Sequence, residues 1–262
     1  MSITTLERPD LSVRIIAIDG GRPDPAPQPY RLNCSTCHLR DLCLPGGMTG
    51  GDIERLDALL ISRRRVKAGQ VVYREGDRFE FMYAIRSGTF KTSLMLADGR
   101  EQVSGFYMAG ELMGLDALAA GAHASTATSL EDAEVCSIPY LHLSEVAVAS
   151  TGMQHLVARL MSREIVREQI LLLLLGGMNA EERLSAFLLD QSRRLNARGY
   201  SPSEFHLRMS RAEIGSYLGV TLETVSRTFS AFHKQRLIEV NQRHVRIIDM
   251  AGLAGATASR MH

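Results

Sequence analysis

From about Arg65 to Pro139 the apolar positions fall in short runs closed by Gly and Asp. Val71-Val72-Tyr73 stops at Glu75-Gly76-Asp77, and Phe81 to Ile85 stops at Ser87-Gly88. Thr89 to Leu96 ends at Ala97-Asp98-Gly99-Arg100, and Val103 to Tyr107 at Ala109-Gly110-Glu111. Turn signals roughly every ten residues, one of them Asp-Gly, predict hairpins of an antiparallel barrel or sandwich. After Pro139 the period lengthens. Ala158, Met161, Ile165, Glu168, Leu172 and Leu175 follow at intervals of 3, 4, 3, 4 and 3, which is a heptad seam. A single helix packed on its own domain gives the same spacing. Glu168 favours a paired helix, because an intradomain core seldom takes a carboxylate. Gly176-Gly177 is expected to end this helix and mark a domain boundary. Shorter helices follow, then two small strands, Leu237 to Val240 and His244 to Ile248.

Residues 210–229 carry the densest pattern. Ser210 is a plausible N-cap with Glu213 completing a capping box. Ile214, Tyr217 and Leu218 form an apolar stripe, and Gly219 permits a tight turn. Thr221 caps a second helix whose Val225 and Phe229 face inward, leaving Glu223, Ser226 and Arg227 outward at its start. This is helix-turn-helix grammar, in which the first turns of the second helix enter the major groove of DNA. Arg227 suits guanine O6 and N7, Glu223 suits cytosine N4, and Ser226 suits a thymine methyl or a phosphate.

Composition narrows the class. The chain has 262 residues, 45% apolar and 23% charged, an ordinary globular mix with room for two domains. Its longest aliphatic run, Ile170 to Leu175, is six residues, whereas a membrane span needs roughly twenty. Met1 to Asp10 shows no secretory signal, so a cytoplasmic protein without membrane contact is expected. Pro9, Pro23, Pro25, Pro27 and Pro29 precede the first cysteine and indicate an irregular arm. From Ser192 onward 11 Lys and Arg stand against 5 Asp and Glu, while the preceding residues carry 19 against 24. A basic C-terminal third on an acidic body points to a polyanion-binding module. No nucleophile–base spacing, P-loop or dinucleotide fingerprint is present, so no enzyme is expected.

The four cysteines are Cys34, Cys37, Cys43 and Cys136. A disulfide framework is improbable in a cytosolic chain of this size. Thiolates on a short loop are soft metal ligands. Three on a loop with a distant fourth is a spacing iron–sulfur clusters use, zinc would accept the same four, and incidental thiols are the third reading. His38 is a further possible ligand.

Taken together, these features resemble the FNR branch of the CRP/FNR superfamily of bacterial transcription regulators, from about Asn33 to Asp249. The resemblance is densest in Cys34-x₂-Cys37-x₅-Cys43, in Asn179-Ala180-Glu181-Glu182-Arg183-Leu184 and in Gly215-Ser216-Tyr217-Leu218-Gly219 through Glu223-Thr224-Val225-Ser226-Arg227. It implies an α+β chain: a cyclic-nucleotide-binding-like β-roll, a long dimerisation helix and a winged helix-turn-helix. The expected divisions are an arm at 1–33, a cluster-binding loop and β-roll at 34–150, the dimerisation helix at 151–177, the DNA-binding domain at 178–251 and a tail at 252–262. It further implies a [4Fe–4S] cluster on Cys34, Cys37, Cys43 and Cys136. Glu223, Ser226 and Arg227 would read a TTGAT…ATCAA-type palindrome in double-stranded DNA as a homodimer. The loop Asp98-Gly99-Arg100-Glu101 would contact RNA polymerase. A cyclic nucleotide is not expected: Gly110-Glu111 could serve a ribose, but Ala124 stands before Ser125 where the phosphate-binding Arg should be. A zinc-holding or small-ligand-responsive regulator of the same fold is the alternative.

Overall fold

A computed structural model describes residues 33–258, apart from 60 and 149. The arm expected at 1–33 therefore lies almost wholly outside the described residues. A loop of successive turns over 33–49 leads into helix α1 (Gly50–Asp57). Eight strands follow: β1 (Ser62–Val66), β2 (Val71–Tyr73), β3 (Phe81–Ser87), β4 (Thr89–Met95), β5 (Glu101–Met108), β6 (Leu112–Met113), β7 (Thr126–Ser129) and β8 (Ala133–Pro139). They form two antiparallel sheets, ordered β1-β8-β3-β6 and β2-β7-β4-β5. Val72, Ile85, Phe90 and Val135 are buried in the core of this roll with Tyr73 and Tyr83. The four strands read from the apolar runs are all present. β1, three arginines in five residues, was not legible that way.

Helix α2 (Tyr140–Val148) and the 27-residue α3 (Thr151–Gly177) come next. Ser150 caps α3, accepting from Met153 N. Asp52 of α1 accepts the Ser150 hydroxyl at 2.6 Å. Gly152 gives this contact room, since a Cβ there would lie 2.0 Å from the Asp52 carboxylate. As expected, the helix ends at Gly176-Gly177, its last two residues. Chain direction changes at Met178, and the capping box of Asn179 and Glu182 starts α4 (Ala180–Asn196).

The C-terminal part adds β9 (Glu204–His206), α5 (Arg211–Leu218), α6 (Leu222–Lys234), β10 (Ile238–Asn241), β11 (His244–Ile247) and α7 (Met250–Ala258). Strands β10, β11 and β9 make a small antiparallel wing. Phe187, Ile214, Val225, Phe229 and Phe232 build the core, and Val103 and Phe106 of β5 enter it from the roll. The tail expected from residue 252 is instead helical through Ala258. Leu253 is fully buried in that core, and its carbonyl takes the Ser185 hydroxyl.

Candidate metal centre and nucleic-acid interface

Three of the four cysteines come from the turn-rich loop and one from the rigid sheet. Within the loop, Cys37 N donates to Cys34 O at 3.2 Å and Cys43 N to Leu39 O at 2.9 Å. Cys34 N and Ser35 N both donate to the carboxylate of Asp57, which anchors the loop to the end of α1. Cys136 sits in β8 between Arg63 of β1 and Ala84 of β3. Cys34, Cys43 and Cys136 pack against an apolar cluster that includes Leu44, Leu56 and Ile138. His38 is exposed.

The thiols sense one another. Burial pushes Cys34 up to about 12, with Cys43, Asp57, Cys136 and Cys37 adding to the rise. Burial likewise lifts Cys43 to about 12, opposed by the Leu44 N–H and reinforced by Cys136 and Cys37. Cys136 is raised by burial, opposed by the guanidiniums of Arg86 and Arg63 and reinforced by Cys37. Each of the six pairings among the four is therefore electrostatically coupled. All four are free of disulfides. Cys34, Cys43 and Cys136, raised by burial, stay protonated at neutral pH until a metal displaces the proton. Among the described residues no three Cys, His, Asp or Glu side chains are set to grip a single metal ion. The donor chemistry nonetheless fits a thiolate-held centre: four soft sulfurs in one partly apolar neighbourhood.

The reading head follows its caps. Ser210 accepts from Glu213 N while the Glu213 carboxylate accepts from Ser210 N. Gly219 closes α5 in the left-handed region at φ 63°, and Thr221 caps α6 by accepting from Thr224 N. Gly215 admits the turn closely, since a Cβ would lie 2.7 Å from Val220 O. Val225, Thr228, Phe229 and Phe232 are buried, while Glu223, Ser226 and Arg227 are exposed on the opposite face. Sequence reasoning passed over Arg211. Its guanidinium lies 3.2 Å from the Phe229 ring centroid, Nη2 donates to Gln242 O at 3.1 Å, and Nη1 has no hydrogen-bond partner. Burial pulls its pKa down to about 10. Because that Nη1 is buried, the guanidinium braces α5 against α6 and the wing and is not open to a phosphate. The available signal was an arginine directly after the helix cap.

Helix α3 has two apolar faces. Met153, Leu156, Leu160, Leu171 and Leu174 are buried against the rest of the chain. Ala158, Met161, Ile165, Glu168 and Leu172 are exposed, as are Val166, Ile170 and Leu173, so the open face is broader than the heptad. Leu175 departs from that stripe: it is half-buried, and a Cβ on Gly219 would come within 3.2 Å of it. Burial and the neighbouring Glu164 raise the carboxyl of Glu168, opposed by Arg167.

The tip Asp98-Gly99-Arg100-Glu101 is exposed throughout. Asp98 and Arg100 pair locally at 2.7 Å. Glu101 instead pairs with Lys91 at 2.9 Å, and Lys91 also reaches Glu213 of α5 at 3.3 Å. Val103 N donates to the Ser216 hydroxyl at 2.8 Å. This hairpin thus docks on the helix-turn-helix. Glu111, the candidate ribose ligand, is engaged by Arg167, Arg194 and Arg198. Beside Ala124, the Ser125 hydroxyl and the Ala124 N–H both donate to Asp116, which places an anion at the expected phosphate position.

Residues 63–150 match the cyclic nucleotide-binding domain family, and residues 182–256 match the Crp-like helix-turn-helix domain family. The chain is 46% identical to the transcriptional regulatory protein btr of Bordetella pertussis, across 86% of this chain and 93% of that one. It is 39% identical to the fumarate and nitrate reduction regulatory protein of Escherichia coli, across 86% and 92%. The structure of FixK2 from Bradyrhizobium japonicum superposes with a TM-score of 0.71 at 28% identity, covering 76% of this chain and 98% of that one.

Proposed function

Since the chain belongs to the CRP/FNR family of DNA-binding transcription regulators, we propose that it is an oxygen-responsive member whose four cysteines hold a [4Fe–4S] cluster. The observation that carries this reading is the convergence of free, half-buried cysteines from a loop and a strand, with Cys34, Cys43 and Cys136 packed on one apolar cluster. When bound, the cluster supplies iron–sulfur bonds that dioxygen attacks. Cys34, Cys37, Cys43 and Cys136 bind it. The loop that holds three of them is tied to α3 through Arg159, whose Nη1 donates to Gly46 O at 2.7 Å, and through the Asp52–Ser150 cap. A fixed loop therefore fixes the start of α3.

The exposed seam of Ala158, Met161, Ile165, Glu168 and Leu172 then joins a second copy. Two partly desolvated Glu168 carboxylates 4–6 Å apart repel by roughly 1–4 kcal/mol, which keeps association marginal when the loop is not held. Only a dimer presents two recognition helices about 34 Å apart. Glu223, Ser226 and Arg227 read a TTGAT…ATCAA-type palindrome, at genes whose products serve anaerobic or microaerobic metabolism in the cytoplasm. Asp98 and Arg100 offer RNA polymerase an exposed tip. No cyclic nucleotide is needed, and Asp116 repels its phosphate. The deciding experiment is the visible spectrum of protein purified without oxygen. Brown protein that bleaches in air, with iron and sulfide in equal amounts, supports the reading. Colourless protein with stoichiometric zinc overturns it.

A further inference from the structure

We propose that Arg86 is the charge-compensating residue of the four-cysteine centre, its guanidinium offsetting the negative charge that thiolate ligation brings. This rests on the iron–sulfur reading above. Strands β3 and β8 pair in register from Phe81–Pro139 to Ile85–Val135, then slip so that Ser87 faces Glu134. Arg86 is the residue left over at this bulge, a feature that re-aims a side chain out of the ladder. Gly88 follows at φ +87°, where a Cβ would lie 2.5 Å from Ala133 Cβ, so the turn has little latitude. The result is a specific contact. Arg86 Nη1 donates to Cys37 Sγ at 3.8 Å while its Nε lies 3.7 Å from Glu134.

Arg63 and Arg86, both partly buried, share the single carboxylate of Glu134 with the solvent-exposed Arg65, while the anionic Asp57 lies at Cys34. Arg63 stands opposite Cys136, and its buried Nε has no hydrogen-bond partner. Two partly buried guanidiniums on one carboxylate gain from anionic sulfur beside them. Hydrogen bonds to ligating sulfur, together with the local net charge, set the reduction potential of an iron–sulfur centre. Arg86 is thus a positioning residue for charge.

The test compares wild type, Arg86→Gln, Arg86→Lys and Arg65→Gln after anaerobic reconstitution with ferrous iron and sulfide. Circular dichroism checks folding. Midpoint potentials come from one-electron titration with dithionite and dye mediators, and cluster lifetimes from the visible absorption after mixing with air. Arg86→Gln should lower the potential by about 60 mV, which is a tenfold change in a one-electron equilibrium constant, and shorten the lifetime in air. Arg86→Lys should recover part of both. Arg65→Gln should leave both unchanged, because its side chain is 90% exposed and pairs with Glu134 at 3.5 Å. If wild type holds iron and sulfide but Arg86→Gln matches it in potential and lifetime, the role of Arg86 is overturned while the iron–sulfur reading stands. An equal drop in Arg65→Gln also overturns it, since the effect would then be a diffuse field. A wild type that takes up no iron overturns both.

Discussion

Glu111 grips Arg194 with both carboxylate oxygens: Arg194 Nε donates to Oε1 at 3.0 Å and Nη2 donates to Oε2 at 2.5 Å. Glu111 lies in the turn between β5 and β6 and Arg194 in α4, so this pair joins the β-roll to the DNA-binding half. Arg167 of α3 and Arg198, in the turn after α4, complete the group at 3.1 and 2.6 Å. Arg194 and Arg198 also donate to the carbonyls of Phe106 and Ala109. Roll, long helix and reading head thus meet on a single carboxylate.

That meeting point is acid-sensitive. Burial would raise the Glu111 carboxyl, but Arg194, Arg167 and Arg198 outweigh it and bring it to about 2. A folded value below the unfolded one stabilises the protein above the unfolded value, near pH 4.5, and loses that stability as pH falls toward 2. The full contribution is on the order of 3 kcal/mol. Thermal unfolding between pH 5 and pH 2 should lose this stability in wild type and lose much less in Glu111→Gln. At neutral pH, Glu111→Ala should cost about 3–5 kcal/mol, because it strands buried cations. Spin labels on the roll and on α6 should report a broader distance distribution in the same variant.

Each cysteine is expected to be indispensable to the centre. Replacement of Cys34, Cys37, Cys43 or Cys136 by Ala should remove iron and sulfide from protein reconstituted without air, since each supplies one thiolate. The Cys136→Ala variant is the most informative. Full iron retention there would move the fourth ligand elsewhere, with His38 examined first.

On DNA, Arg227→Ala should weaken binding to the palindrome by about 1–3 kcal/mol and relax preference at one base pair. Glu223→Ala should alter which base is preferred more than it lowers overall affinity. Arg211→Ala behaves differently. It should weaken all sequences alike by loosening α5 against α6, with the salt dependence unchanged. Titrations against the palindrome and a scrambled duplex at several salt concentrations separate these behaviours.

Glu168→Ala should dimerise in air without the cluster, which sedimentation measures directly. A monomeric variant at concentrations where wild type is monomeric would remove Glu168 from the switch.

Charge reversal at Asp98 or Arg100 should reduce promoter activation while leaving DNA affinity intact. Reversal at Glu101 should disturb both, because Glu101 reaches Glu213 through Lys91. Transcription assays run beside binding titrations make the distinction.

How much of this was legible depended on whether a signal was local. The caps at Ser210 and Thr221, the turn at Gly219 and the hairpins between Val71 and Tyr107 are each written within a few adjacent residues. The caps and the turn stand as the sequence reads, but of the hairpins only β4–β5 forms, because β2 pairs with β7 and β3 with β6 and β8 across two sheets. β1 was hidden because Arg63, Arg64 and Arg65 mask its one buried apolar residue, Val66. Gly176-Gly177 ends α3 as read, and the capping box at Asn179 then starts the next helix. The Glu111 group could not be read at all. Its partners lie 56 to 87 residues away, and charge composition says nothing about which arginine meets which carboxylate.

Cys136 belongs to a strand hydrogen-bonded on both sides, whereas Cys34, Cys37 and Cys43 hang on turns. If the proposed cluster is bound here, its loss would free the turns and leave the sheet that carries the last sulfur paired as before. The emptied chain would then be a reusable blank, with one ligand already in place for recharging.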